Sequence, residues 1–174
     1  MRPADIRSDG RDGLRRLLAR WDILLVVGCG GSLGSVARWA LLVAIPHREH
    51  GIAWATWLAN LTGAFALGTL MVLLLDVWPP SRYVRPFLAV GVLGGYTTFS
   101  TYMLDTRTLL AEGELPAAFG YLFGTLLSGL LAVWLGVLVA RTAIALQVRR
   151  HRRRSGGRST GSDPGGKLSE RSRP

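Results

Sequence analysis

Three glycines and a run of hydroxylated residues break an apolar stretch at residues 91–105, GVLGGYTTFSTYMLD. Gly94-Gly95 weakens a helix, and the hydroxyls of Thr97, Thr98, Ser100 and Thr101 can satisfy backbone groups released there, even in hydrocarbon. Where a membrane helix unwinds, its carbonyl oxygens can hold a cation, while the N-terminus of the next half-helix favours an anion. Phe99 and Tyr102 are three residues apart and share a face. Aromatic ring edges carry partial positive charge, so this pair could face a small anion without offering a full charge. Two core aromatics beside a glycine kink are the plainer reading of the same residues.

Other polar residues fall in apolar surroundings. Thr56 and Asn60 are four apart and share one helical face. The asparagine amide has two N–H donors, which suit an anion or a carbonyl of a neighbouring helix. Tyr121, Thr125 and Ser128 form a stripe that reads either as a hydrophilic track or as hydroxyls bonded back to their own helix. Arg38 must snorkel, pair or line a cavity, so structural and functional roles both stand. No carboxylate lies near the middle of an apolar stretch, since Asp76 and Asp105 are at stretch ends and the histidines lie elsewhere. Proton-coupled transport usually needs an intramembrane ionisable relay. Nothing is placed to activate Ser100 or a threonine as a nucleophile, so no enzyme is expected.

The elements that must position these groups are four apolar stretches, residues 23–45, 52–75, 83–104 and 116–145. Each is close to the roughly 20 residues a helix needs to cross a bilayer. The chain has 174 residues, is 49% hydrophobic and carries a net charge of +10, concentrated at its two ends. It reads as an all-α membrane protein with one four-span domain, residues 23–145. A basic leader, residues 1–22, precedes it, and a basic, Gly/Ser/Pro-rich disordered tail, residues 146–174, follows. The first stretch follows a long charged leader and lacks a clear cleavage site, so it is not expected to be a signal peptide. Gly28, Gly30, Gly31 and Gly34 have no preceding strand or P-loop lysine, and small residues at this spacing read as helix packing. Cys29, the single cysteine, excludes an internal disulfide.

Arginines fill the leader, the segment 149–154 and the loop holding Arg82 and Arg85, whereas Arg48 and Arg107 on the other side stand beside glutamates. The positive-inside rule places both termini in the cytoplasm. The RRHRRR run directly follows a span with no folded partner, so it is expected to set topology and touch anionic membrane lipid, with no nucleic acid involved.

Four motifs in order, GCGGSLGSVARW (28–39), TWLANLTGAFALG (56–68), GVLGGYTTFSTYMLD (91–105) and YLFGTLLSGLLAVWLG (121–136), resemble the Fluc (CrcB) fluoride channel family. The resemblance covers residues 23–140. It implies an antiparallel dimer with pores along the subunit interface and a third helix broken near its middle. It further implies a structural, untransported Na+ held by the carbonyls of Gly94 and Thr97 from both subunits. Fluoride would pass the edges of Phe99 and residue 102, with Asn60 donating to it and Thr125, extended by Ser128, forming a polar track. Arg38 matches the family's arginine, and Arg38 and Thr56 are both expected to have structural, interfacial roles. Three positions depart from the pattern: Tyr102 replaces the usual phenylalanine, Asp105 the commoner glutamate, and Gly129 a serine carried by some members.

The implied function is passive, selective fluoride export across the plasma membrane. A small exporter of organic cations would need an embedded carboxylate. A non-conducting partner subunit would show no flux. An antiparallel homodimer needs one chain to insert both ways, and the strong charge bias argues against that. An oppositely biased paralogue is therefore a candidate partner beside a second copy of this chain.

Overall fold

A computed structural model of the chain describes residues 3–45, 51–79 and 81–156, with side chains described for 21–45, 51–79 and 81–147. Every regular element among them is helical. Helix α1 runs Pro3–Ala44, and α2 runs Trp54–Val72 and widens into a π-helical turn at Leu73–Val77. A second π-helical segment, Pro86–Val92, leads into α3, Leu93–Tyr96, then α4, Phe99–Ala111, and α5, Leu115–Gly156. The wider turns are visible in i→i−5 bonds, as from Trp78 N–H to the Leu73 carbonyl at 2.8 Å.

Four segments are long and apolar enough to cross a membrane: Trp21–Ala44, Trp54–Val77, Pro86–Ala111 and Leu115–Gln147. The third runs past the expected end at residue 104. Charged Asp105 and Arg107 read as a boundary, but Thr106 and Leu109 are buried in the same helix. Asp105 therefore lies within this segment, and Tyr121 bonds its carboxylate. Residues 146–156, assigned from sequence to the disordered tail, continue α5, because no glycine or proline interrupts them before Gly156. The rest of the expected disordered tail lies outside the described residues. Met1–Ala140 forms one compact unit and Arg141–Pro174 a second, and the packing below is that of the first.

The turn between α4 and α5 is closed by Gly113, whose φ of 78° only glycine adopts without strain. Glu114 N–H bonds the Leu109 carbonyl at 3.0 Å and Gly113 N–H the Leu110 carbonyl at 3.2 Å, a Schellman closure. Here α4 and α5 become antiparallel neighbours, and Tyr102, Leu109, Ala118 and Tyr121 pack with Ala53 into a small core.

Glycines set how the spans meet. A Cβ on Gly30 would come within 2.5 Å of the Phe87 carbonyl oxygen, and one on Gly34 would overlap that of Val92. From the other side, a Cβ on Gly95 would overlap the Gly31 carbonyl. Spans one and three thus touch backbone to backbone, the packing role expected for the first-span glycines, although Gly28 faces open space. Spans two and four form a similar seam, with Gly68 against Val133 and Gly136 against Phe65. On α5, Leu126, Leu127, Leu130 and Trp134 are all more than half exposed, the face that lipid or another chain covers in a membrane.

Candidate ion site at the third span

Span three leaves helical backbone geometry at two residues, although Thr97 N–H still bonds the Leu93 carbonyl at 3.0 Å. Helix α3 ends at Tyr96, Thr97 (φ −83°, ψ 156°) and Thr98 (φ −147°, ψ 124°) are extended, and α4 starts at Phe99. Gly94 and Gly95 are themselves helical, so the interruption falls just beyond them. Asn60 on α2 holds it open: its Nδ2 donates to the Thr98 carbonyl at 3.0 Å and its Oδ1 accepts from Thr98 N–H at 2.9 Å. One amide side chain thereby replaces both helical bonds of Thr98, as a strand partner would. It also removes the donor that the Gly94 carbonyl would have in a continuous helix. The Thr98 hydroxyl accepts from Thr101 N–H at 3.2 Å and so caps α4.

Two further released carbonyls meet side chains of α1. Ser35 Oγ approaches the Gly95 carbonyl at 3.5 Å, and Arg38 Nη1 donates to the Thr97 carbonyl at 3.4 Å. The half-buried Arg38 therefore reaches the middle of span three and does not snorkel to its own end of the membrane.

The aromatic pair splits. Phe99 is 74% exposed, whereas Tyr102 is 8% exposed, with ring centroids 5.8 Å apart. The Tyr102 hydroxyl donates to the Leu122 carbonyl at 2.6 Å, which ties α4 to α5 and turns the hydroxyl away from open space. Replacing Tyr102 by phenylalanine keeps the ring and loses one bond. About 1 kcal/mol of stability is expected to go, with fluoride flux within about threefold of the parent. Thermal unfolding and liposome efflux check the two halves separately.

Asn60, Gly94, Thr97, Phe99, Tyr102 and Thr125 all line one open groove of about 520 Å³, and Gly129 lines it too. The Thr125 hydroxyl is buried there with no hydrogen-bond partner. Buried polar atoms in native proteins are nearly always bonded, so this donor marks a place for a ligand or water. Ser128, Thr56 and Arg38 are not among the groove's lining residues. Ser128 accepts the Trp57 indole N–H at 2.8 Å and bonds back to the Thr125 carbonyl at 3.2 Å. Thr56 shares the Tyr121 hydroxyl, which donates to Asp105 Oδ2 at 3.1 Å.

Sequence reasoning did not find the Asn60–Thr98 clamp, the Trp57–Ser128 bond or the Tyr121–Asp105 bond. Their partners are 38, 71 and 16 residues apart, and no local pattern joins them. A Cβ at Gly129 would meet nothing within 4 Å, so Gly129→Ser is expected to fold with unchanged stability, within about 0.5 kcal/mol. A thermal melt checks this, and four-residue spacing puts the new hydroxyl beside that of Thr125.

Four membrane-length segments, the third of them interrupted, with a largely apolar groove that carries a few polar side chains beside the interruption, define a multi-pass membrane protein. Residues 25–137 match the family described as CrcB-like protein, Camphor Resistance (CrcB), and the chain belongs to that family. It is 46% identical over 130 residues to the fluoride-specific ion channel FluC 3 of Streptomyces avermitilis, covering 75% of this chain and 64% of that one. It is 48% identical to the fluoride-specific ion channel FluC 2 of Nocardia farcinica, over 70% of this chain and 86% of the relative. The fluoride-specific ion channel FluC 1 of Streptomyces coelicolor is 41% identical, over 82% and 92% respectively. These relatives are channels, not enzymes.

Proposed function

We propose that this chain is a subunit of a fluoride-selective channel through which fluoride leaves the cytoplasm down its own gradient. One observation carries the reading: Thr125, whose buried hydroxyl has no hydrogen-bond partner, lines the same groove as Asn60, Phe99 and Tyr102. Fluoride is small and hydrated strongly, so a dehydrating path must offer hydrogen-bond donors and positive ring edges without a full charge that would trap it. Thr125 and the free hydrogen of Asn60 Nδ2 supply the donors, and Phe99 and Tyr102 supply the edges. Ser128 contributes by orienting Trp57 and the Thr125 turn, and Thr56 by fixing Tyr121. No step needs a proton relay. The relatives' names support fluoride as the conducted ion.

A structural sodium ion fits the interruption. The Gly94 carbonyl has lost its helical donor to Asn60, and Thr97 turns its own carbonyl out of the helix. Backbone carbonyls are suitable ligands for a hard cation, and the ion would supply a fixed positive charge beside an anion path. Each chain would offer two such carbonyls, Gly94 and Thr97, so a second subunit would complete the shell.

The second subunit is an antiparallel one, a second copy or an oppositely oriented paralogue. The arginine bias supports a plasma-membrane orientation with both termini on the cytoplasmic side. Streptomyces avermitilis contributes two separately numbered relatives, which supports paired paralogues. A non-conducting role within such a pair is the second reading, favoured by Tyr102 being bound to Leu122 and by glycine at position 129. An organic-cation exporter finds no support among the relatives. Growth of a bacterial strain lacking fluoride exporters, in acidic medium with added fluoride, tests the function. Expression of this chain, alone or with its paralogue, is expected to restore growth, and no rescue in either form contradicts it.

A further inference from the structure

We infer that Arg38 is a tethered cation for the interruption of span three and competes there with a metal ion for the Thr97 carbonyl. The inference rests on the sodium reading above and adds a residue to it.

The glycine seam fixes the register of α1 against span three, with Gly30 against Gly91 and Gly34 against Val92. One turn further along α1, Ser35 and Arg38 meet the carbonyls of Gly95 and Thr97. Helical spacing puts Gly31, Gly34, Ser35 and Arg38 on one face of α1, so a single register serves both the packing and the polar contacts. The charge therefore falls at the centre of a membrane-spanning segment, where an arginine is costly unless paired. Its recorded partner is a carbonyl made available by the break.

A guanidinium and a sodium ion on one carbonyl oxygen repel each other in a poorly screened site. With no metal bound, Arg38 satisfies the carbonyl and the interruption survives. With metal bound, Arg38 must withdraw, so it holds the apparent sodium affinity down. Removing its charge should make the interruption depend on sodium and tighten sodium binding by about tenfold or more.

The test is thermal unfolding of the full chain, purified in detergent both alone and with its oppositely oriented paralogue, titrated with sodium against N-methylglucamine at constant ionic strength. Arg38→Gln is expected to melt below the parent without sodium, and to recover at a half-saturating sodium concentration about tenfold lower than the parent requires. Equal sodium responses in the two proteins overturn the role of Arg38 and leave the sodium site standing. No sodium response in either overturns both. If Arg38→Gln does not fold, Arg38→Lys answers the question. Its ammonium lacks the planar fork and holds the carbonyl less well, so its sodium response must exceed the parent's, and an equal response overturns the inference.

Discussion

Replacing Gly34 by leucine abolishes fluoride flux and leaves little folded protein. A Cβ at this position overlaps the carbonyl oxygen of Val92 and comes within 2.8 Å of the Tyr96 nitrogen, both backbone atoms. A side chain in the way can rotate aside, but a helix backbone moves only as a whole. Spans one and three must therefore separate along the line Gly30–Gly34 against Gly91–Gly95. That removes close packing, the main attraction between helices in lipid, and lifts Ser35 and Arg38 from the interruption. The cost is expected to exceed about 3 kcal/mol, the upper range for an overfilled core, since no rotamer relieves it. Gly28→Leu is the matched control, because a Cβ there meets nothing within 4 Å and the protein should accumulate normally. Size-exclusion profiles of the two variants, run beside the parent, make the comparison.

Asn60→Ala lowers fluoride efflux at least about 30-fold. The substitution strands both the N–H and the carbonyl of Thr98, which is itself only 8% exposed. Each stranded group costs about 1–3 kcal/mol, and 2 kcal/mol already corresponds to a factor of about 30 in the population of the native arrangement. Span three can recover by rewinding, with Thr98 N–H returning to the Gly94 carbonyl. That repair closes the interruption and withdraws the carbonyl offered to a cation. The variant is therefore expected to keep its helix content, by circular dichroism, while losing flux. A variant that keeps flux within threefold would mean that Asn60 does not set the interruption.

How the site could be read from the sequence depends on the distance over which each feature is encoded. Apolar length is local, and the four membrane-length segments follow the four apolar stretches closely. Glycine spacing is local too, and the first-span glycines do pack against another backbone. The interruption is encoded in part elsewhere. Gly94-Gly95 pointed to the right turn, but the residues that leave the helix are Thr97 and Thr98, because Asn60 on another span takes both the N–H and the carbonyl of Thr98. Ser128 shows the same limit. Its place on a polar stripe suggested a track, yet Trp57, 71 residues away, takes its hydroxyl. Tyr102 stood out as a departure from the family's usual phenylalanine, and its hydroxyl is taken by the carbonyl of Leu122, 20 residues away.

The central claim is passive, selective fluoride movement. The direct measurement is ion efflux from liposomes loaded with both fluoride and chloride, containing this chain alone or with its oppositely biased paralogue. Valinomycin balances charge with potassium, and no proton gradient is applied. Fluoride should leave within seconds to minutes while chloride stays inside, in at least one of the two preparations. Retention of fluoride in both, or loss of chloride at the same rate, would contradict the account.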